Sequence, residues 1–216
     1  MPISGSMNTC PILAFVDCEI GSGAGTGGSS GHVYAHGRRE VIISGKRVKT
    51  VDVHAHCIVP EAAQLINHSL EAPGLLWSNI VDRLAQMDQT GVDVQALSIN
   101  PYWYEAERDA VAEFIRVQNE ALAEFCASDQ DRFVAFATAA LQYPDLAAEQ
   151  VEQAVKTFGF RGIGVGGSVA GEELANPKFH PFWAKCEELG VLVFMHPLGT
   201  RELEPSGRLA LSLIHI

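Results

Sequence analysis

Apolar positions between residues 78 and 196 follow two patterns that alternate along the chain. Segments whose apolar residues recur every three or four positions predict amphipathic helices at residues 78–90, 108–127, 144–158 and 176–189. Short, nearly continuous apolar runs predict strands at residues 92–98, 133–138, 162–165 and 191–196. Runs of this kind are typical of strands that a parallel sheet buries on both faces. The alternation therefore predicts an α/β fold.

Three glycines mark the ends of the predicted helices. Gly91, Gly159 and Gly190 each follow the last residue of an amphipathic segment. The position after a helix often adopts a left-handed conformation that glycine reaches without steric cost. These glycines support the helix boundaries, and the next apolar strand begins within a few residues of each.

The first 47 residues form a separate part of the predicted organisation. Residues 21–31 (GSGAGTGGSSG) are almost entirely glycine and serine, a composition that disfavours ordered packing. A hairpin is predicted from residues 40–44 and 48–53 around Gly45-Lys46, with its second strand running into the histidines at 54 and 56. We therefore divide the chain into an N-terminal appendage with a hairpin strand, residues 1–47, and an α/β domain, residues 48–216.

Composition narrows the range of functions. The chain has 216 residues, 47% of them hydrophobic, and carries a net charge of −11 from 15 basic and 26 acidic residues. Without a long basic cluster, nucleic acid is not an expected partner. No apolar run reaches the roughly 18 residues of a membrane span, and the N-terminus lacks a basic leader. Five scattered cysteines, without paired spacing, favour a soluble protein of the reducing cytoplasm.

Three histidines follow apolar runs and are the main candidates for chemistry. His54 and His56 lie in Val-Asp-Val-His-Ala-His, and His196 ends the strand predicted at residues 191–196. Alternate residues of a strand point to the same face, so His54 and His56 present two imidazoles side by side. Active sites of α/β proteins form at the carboxyl ends of strands, where His196 also lies. Three imidazoles with an open position are a common catalytic metal site.

The remaining candidates have simpler interpretations. Asp52 is expected to face away from His54 and to serve as a structural or outer partner. Cys57 is interpreted as a core thiol rather than a nucleophile. Tyr102, Trp103 and Tyr104 could form an aromatic wall for a planar substrate or pack against a neighbouring loop or subunit. The histidines expected at the surface or in packing roles, and not as ligands, are His32, His36, His68 and His180. His215 is not assigned to the site either, because the 19-residue separation from His196 leaves no room for a helix of normal length between two strands.

Two glycine patterns match the dinucleotide fingerprint G-x-G-x-x-G, at residues 23–28 and 162–167. That fingerprint requires a turn between a strand and a helix that receives the pyrophosphate. The first pattern is not followed by a helix, and the second lies within a predicted strand, where small residues permit close packing. No nucleotide cofactor is therefore expected.

An ordered series of motifs resembles the amidohydrolase superfamily over residues 48–199. The series is VDVHAH, TGVDVQALS, NEALAEFCASDQDRFVAFATAALQYPD, GFRGIGV and FWAKCEELGVLVFMHP. It is most similar to the branch that contains aminocarboxymuconate-semialdehyde decarboxylase and related metal-dependent decarboxylases. The resemblance implies a TIM-type (β/α) barrel, incomplete here at about five of eight βα units. It also implies that His54, His56 and His196 bind one divalent metal, zinc in the first place and manganese as the alternative.

The same resemblance implies a function and leaves several alternatives open. The expected reaction is non-oxidative decarboxylation of a small cyclic or unsaturated carboxylic acid, by a protein that can form homodimers. The alternatives are metal-dependent hydrolysis of an amide or lactone, or an inactive barrel fragment that serves as a binding module. The family pattern also has a catalytic histidine after strand 6 and a metal-binding aspartate after strand 8. Both are expected beyond residue 216, so no catalytic residue is assigned.

Overall fold

The computed structural model describes residues 38–67 and 80–196, which form a parallel sheet covered by helices on its outer face. The strands are β1 Val41–Ile43, β2 Lys46–Val48, β3 Val51–His56, β4 Val94–Ser98, β5 Phe133–Ala137, β6 Gly162–Gly166, β7 Ser168–Val169, β8 Glu172–Glu173 and β9 Leu192–His196. The helices are α1 Pro60–Leu65, α2 Ile80–Thr90, α3 Arg108–Ser128, α4 Pro144–Phe158 and α5 His180–Leu189. The parallel sheet has the order β3-β4-β5-β6-β9. The predicted α/β architecture is confirmed.

The helices agree closely with the amphipathic segments. Helix α4 has the predicted bounds, α3 ends one residue later, and α2 covers all of its predicted segment that the structure describes. The helix predicted at residues 176–189 begins instead as a 3-10 turn, Pro177–Phe179, before α5. The turn tightens because the Asn176 side chain accepts a hydrogen bond from the Lys178 amide.

The three predicted helix stops all have left-handed backbone conformations. Gly91, Gly159 and Gly190 have φ of +77°, +70° and +62°. Each lies between a helix and the strand that follows it, so the left-handed turn redirects the chain from the outer layer into the sheet.

The N-terminal hairpin differs from its prediction in register and extent. Its turn is centred on Ser44 and Gly45, which both have positive φ, as a type I′ turn requires. The second strand, β2, stops at Val48, and β3 belongs to a different sheet. Thr50 lies between the two strands; its backbone amide donates to Asp93 and its hydroxyl donates to the Gly91 carbonyl. The predicted continuous strand 48–53 is therefore wrong.

The core fills the space between the sheet and helices α1 to α5. Trp103 and Phe114 are fully buried and in ring contact, and Phe182 and Phe179 are buried beneath α5. Burial of each large side chain stabilises the fold by roughly 1.5–3 kcal/mol. In the part of the chain that the structure describes, no helix has both the length and the apolar character needed to cross a bilayer.

One buried carboxylate joins the N-terminal hairpin to the barrel sheet. Asp93, at the start of β4, is 5% exposed and accepts hydrogen bonds from Arg38, Arg47 and the Thr50 amide. Burial by itself would raise the pKa of Asp93. The hydrogen bonds from Thr50 and Arg47 and the charge of Arg38 outweigh burial and lower that pKa.

Replacement of Asp93 tests this junction. We expect Asp93→Asn to lower the free energy of unfolding at pH 7 by about 1–3 kcal/mol, because two guanidinium groups lose their charged acceptor. The folded-state pKa lies below the unfolded value, so this contribution is present above the unfolded pKa of about 4. It is lost as the pH falls through the folded pKa, and the two proteins should converge in acid. Urea unfolding at several pH values measures the difference.

Glu113→Gln is the matched control for Asp93→Asn. Glu113 pairs with Arg116 on the exposed side of α3, where solvent screens the pair. We expect its replacement to change the free energy of unfolding much less than Asp93→Asn does. Equal effects of the two substitutions would contradict a special role for Asp93.

Candidate metal centre

The three predicted histidines come together at one end of the sheet. His54 and His56 lie on β3, and His196 is the last residue of β9. These are the two edge strands of the five-stranded sheet, and the carboxyl ends of parallel strands share one side of it. We call the face of the sheet that carries these imidazoles the inner face.

The Nε2 atoms of the three rings converge. Nε2 of His56 lies 2.7 Å from Nε2 of His54 and 3.1 Å from Nε2 of His196. The ring centroids of His54 and His196 are 5.2 Å apart, and one ligand nitrogen from each residue lies within 4.8 Å of the others. Imidazole nitrogens at these distances can be ligands of a single cation.

Hydrogen bonds among the rings do not account for this arrangement. Nε2 of His56 has either one hydrogen or one lone pair in the ring plane, so it can pair well with a single neighbour. It nevertheless has two nitrogen neighbours, at 2.7 and 3.1 Å. A cation removes the conflict, because each of three neutral imidazoles can direct one lone pair at the same ion. The donor set thus fits a divalent metal that prefers nitrogen ligands.

The ionisation of the rings also suits a metal. Burial, followed by the charge of His54, lowers the pKa of His56 to about 4. Burial, followed by the charges of His56 and His54, lowers the pKa of His196 to about 4 as well. Both rings are therefore neutral at pH 7, the state in which imidazole has a free lone pair for a metal.

Ser98 orients the central imidazole. Its Oγ lies 3.1 Å from Nδ1 of His56, at the end of the neighbouring strand β4. In the tautomer with hydrogen on Nδ1, the ring donates to the serine hydroxyl and its Nε2 lone pair faces the other two imidazoles. Metal-binding histidines are commonly fixed by such a hydrogen bond from the second ring nitrogen.

A chain of polar side chains supports β3 on the opposite face of the sheet, which helix α2 covers. Asp52 Oδ1 accepts from the His54 amide at 3.0 Å, and Asp52 Oδ2 accepts from Gln95 at 3.2 Å. Arg83 donates to the Gln95 side chain at 2.7 Å and to the His56 carbonyl at 3.2 Å.

Asp52 faces away from His54, as expected. It is in register with Gln95, whose side chain points to helix α2, whereas His56 is in register with Ser98 on the inner face. A register shift between Asp52 and Ala55 interrupts the simple alternation along β3. The expected role of Asp52 as an outer partner agrees with these bonds.

Sequence patterns alone did not identify Ser98, Gln95 or Arg83 as supports of the site. One signal was available for two of them: Gln95 and Ser98 are polar residues within the otherwise apolar strand β4. Polar residues of a buried strand need hydrogen-bond partners, and the histidines of the neighbouring strand are the nearest candidates. Arg83 lies on an amphipathic helix, where an arginine is ordinary.

Among the described residues, none of the other sequence candidates belongs to the histidine cluster. Trp103 is fully buried and donates to the Ala139 carbonyl, while the Tyr104 hydroxyl accepts from the Gly166 amide, so these rings pack within the fold. His180 is exposed at the start of α5, and Gly162 and Gly164 lie in β6 as predicted. Of the remaining candidates, His32, His36, His68, His215 and the glycines at 23–28 lie outside the described residues.

A sheet of parallel strands with imidazoles gathered at their carboxyl ends defines a (β/α)-barrel protein of the metal-dependent type. The sequence profile of one such family, amidohydrolase, matches residues 51–212. The chain therefore belongs to the amidohydrolase family, which confirms the resemblance seen in the motifs.

Relatives of known activity are decarboxylases. The chain is 34% identical over 163 residues to the gamma-resorcylate decarboxylase of Rhizobium sp. (strain MTP-10005), covering 68% of this chain and 49% of the relative. It is 26% identical to the 2-amino-3-carboxymuconate-6-semialdehyde decarboxylase of Dictyostelium discoideum, covering 68% of this chain and 41% of that protein. The chain spans about half the length of these relatives or less.

Solved structures agree with the fold. The crystal structure of a 2,6-dihydroxybenzoate decarboxylase from Rhizobium is 32% identical, with a TM-score of 0.59 over 76% of this chain and 55% of that one. A dihydroxybenzoic acid decarboxylase from Polaromonas sp. JS666, solved with manganese and the inhibitor 2-nitroresorcinol, is 26% identical. Its TM-score is 0.62, over 76% of this chain and 54% of that one. The predicted incomplete TIM-type barrel is confirmed.

Cys57 follows the histidine pair but is not placed for nucleophilic chemistry. Its side chain is 3% exposed, and burial raises the pKa of its thiol to about 12. Only the thiolate is a strong nucleophile. We therefore expect iodoacetamide at pH 8 to leave Cys57 unmodified in the folded chain and to modify it in urea, as measured by peptide mass spectrometry. Equal modification under both conditions would contradict the assignment of Cys57 to the core.

Proposed function

We propose that His54, His56 and His196 bind one divalent cation and that this site serves the non-oxidative decarboxylation of an aromatic carboxylic acid. The observation that carries the proposal is the convergence of three Nε2 atoms on a common point at the strand ends. The decarboxylase relatives give the reaction class. A reaction that removes carbon dioxide without oxidation needs no redox cofactor.

The residues of this chain would hold and orient the cation and the substrate. A divalent cation supplies a Lewis acid that can polarise a carboxylate or phenolate oxygen. The three neutral imidazoles leave the charge of the cation uncompensated, which favours an anionic substrate. Ser98 keeps the His56 ring in one tautomer, and Asp52 holds the β3 backbone at His54. Burial of His196 limits access of water to that side of the site.

The cation proposed is manganese or zinc. Imidazole nitrogen binds both, and the Polaromonas decarboxylase contains manganese. Zinc is the first expectation from a set of three imidazoles, and the relative favours manganese. Metal analysis of the purified chain decides between them.

Removal of the central imidazole tests the metal site. We expect the chain to bind close to one equivalent of Mn²⁺ or Zn²⁺ at pH 7.5, and we expect His56→Ala to lose most of this binding. His56 is the ring whose nitrogen contacts both other rings, so its loss leaves no adjacent pair of ligands. Calorimetric titration and elemental analysis after dialysis give the affinity and stoichiometry.

His180→Ala is the control for the metal experiment. His180 is exposed at the start of α5 and lies outside the histidine cluster, so its removal should leave metal binding unchanged. Equal metal content in the unsubstituted chain, His56→Ala and His180→Ala would show that the three imidazoles do not form the site. That result would favour the alternative of a non-catalytic barrel fragment.

The reaction is tested with the substrate of the Rhizobium relative. When the chain is loaded with Mn²⁺ and incubated with 2,6-dihydroxybenzoate, we expect one carbon dioxide and one resorcinol per substrate consumed. The carboxylate leaves as carbon dioxide and a proton takes its place on the ring, so the reaction balances without an oxidant. Chromatography of the aromatic product and a coupled carbon dioxide assay measure both, with His56→Ala as the inactive control.

The same assay separates decarboxylation from the main alternative. Hydrolysis of an amide or lactone by the metal-loaded chain, without carbon dioxide from any aromatic acid tested, would identify a hydrolase. Metal binding with neither reaction would contradict catalysis by this chain and leave only the metal site.

A further inference from the structure

The inner face of β6 has no side chains beside the metal site. The strand reads Gly-Ile-Gly-Val-Gly, so Gly162, Gly164 and Gly166 share one face, while Ile163 and Val165 are fully buried on the other. In register with these glycines stand Leu192, Phe194 and His196 of β9. Register partners in a parallel sheet point to the same side, so the bare surface lies on the inner face, next to a metal ligand.

Two phenylalanine rings, one from each neighbour of β6, stack over its bare inner face. Phe136 of β5 is in register with Gly162, and Phe194 of β9 is in register with Gly164. Their strands are separated by β6 and are therefore about 10 Å apart. The two rings are nevertheless stacked, with centroids 5.1 Å apart and an interplanar angle of 14°. A side chain larger than hydrogen at Gly162 would collide with the Phe136 ring.

The aromatic pair also contacts a metal-binding ring. The Phe194 centroid lies 5.6 Å from that of His54, with an interplanar angle of 69°, an edge-to-face contact. A continuous path of contacts thus runs from Gly162 through Phe136 and Phe194 to His54. The path is separate from the Asp52, Gln95 and Arg83 chain, which holds the backbone of β3 rather than the imidazole.

Gly162 is the position at which this arrangement tolerates the least change. A Cβ at Gly162 would lie 2.6 Å from Cδ1 of Phe136 and 2.9 Å from the Leu192 carbonyl oxygen. Both separations are well below the 3.5–4.0 Å of an ordinary carbon contact. The nearest neighbours of a Cβ at Gly164 would be the Ala137 carbonyl oxygen and Cβ of Phe136, both at 3.9 Å. Two glycines of one strand face therefore differ sharply in the space around them.

We infer that Gly162 is a positioning residue of the metal site, acting through the Phe136–Phe194 pair on the His54 imidazole. The inference rests on the proposed metal function. It adds to the site a residue that lies four positions along β6 from Gly166, the register partner of the ligand His196. A methyl group at Gly162 displaces the Phe136 ring or pushes β9 away from β6. Either movement changes the position of Phe194, and β9 also carries His196.

The test compares Gly162→Ala with Gly164→Ala in the full chain. We expect Gly162→Ala to weaken Mn²⁺ binding by about 10-fold or more, the usual effect of losing an outer support of a metal ligand. It should also change the visible absorption spectrum of the Co²⁺-loaded chain, which reports ligand geometry. Gly164→Ala should leave both the affinity and the spectrum unchanged. Calorimetry and absorption spectroscopy measure the two properties, and circular dichroism reports whether each variant is folded.

A second variant keeps the inference testable if Gly162→Ala does not fold. Phe194→Leu removes the flat ring that contacts His54 without adding an atom to β6, and we expect the same loss of affinity and the same kind of spectral change. Unchanged metal binding in folded Gly162→Ala or Phe194→Leu would overturn the inference. If the unsubstituted chain binds neither Mn²⁺ nor Co²⁺, the proposed metal function itself fails, which is a distinguishable result.

Discussion

The curvature of the parallel sheet is the constraint on which the site depends. His56 and His196 lie on opposite edge strands, yet their Nε2 atoms are 3.1 Å apart. In a flat sheet, the four intervening spacings would separate the edge strands by about 19 Å. Imidazole side chains cannot span that distance, so the sheet has to curl until its edges face each other. The metal centre is thus a property of the barrel sector and not of either strand alone.

Packing on both faces of the sheet maintains this curvature. On the outer face, helices α3, α4 and α5 bury large apolar side chains such as Phe114 and Phe182. On the inner face, the stacked pair of Phe136 and Phe194 fills the concave side beneath the imidazoles. Protein interiors are packed as densely as organic crystals, so a change of volume on either face shifts the strands. The inner pair lies closest to the site, because the Phe194 ring contacts His54.

Periodicity and glycine stops predicted most of the sheet and its helices because these depend on local sequence. The bounds of α4 and the left-handed Gly159 follow from residues adjacent in the chain. The histidine cluster was predicted from strand parity and from the rule that parallel strands place their carboxyl ends together. The short helix α1, Pro60–Leu65, was missed because six residues are too few to show an amphipathic period.

Contacts between residues distant in sequence lay beyond such reasoning. Asp93 binds Arg38 and Arg47, which are 55 and 46 positions away, and nothing in the local pattern around Asp93 indicates those partners. The end of the second hairpin strand is beyond local reasoning for the same reason. Thr50, which follows that strand, donates its amide to the distant Asp93. The aromatic pair likewise depends on the register of three strands. Sequence reading recognised only that the glycines of β6 permit close packing.

The glycines of β6 show how site geometry and strand stability oppose each other. A glycine within a strand costs about 0.5–1 kcal/mol relative to alanine, because more backbone freedom is lost on folding. β6 accepts this cost at three alternate positions on one face, while its other face carries the fully buried Ile163 and Val165. An alanine would fit at Gly164 but not at Gly162. Packing alone therefore explains the glycine at 162 and does not explain the whole glycine face. Departures from local propensity concentrate where a site is built, and here the departure makes room for the Phe136–Phe194 pair, whose Phe194 ring contacts His54.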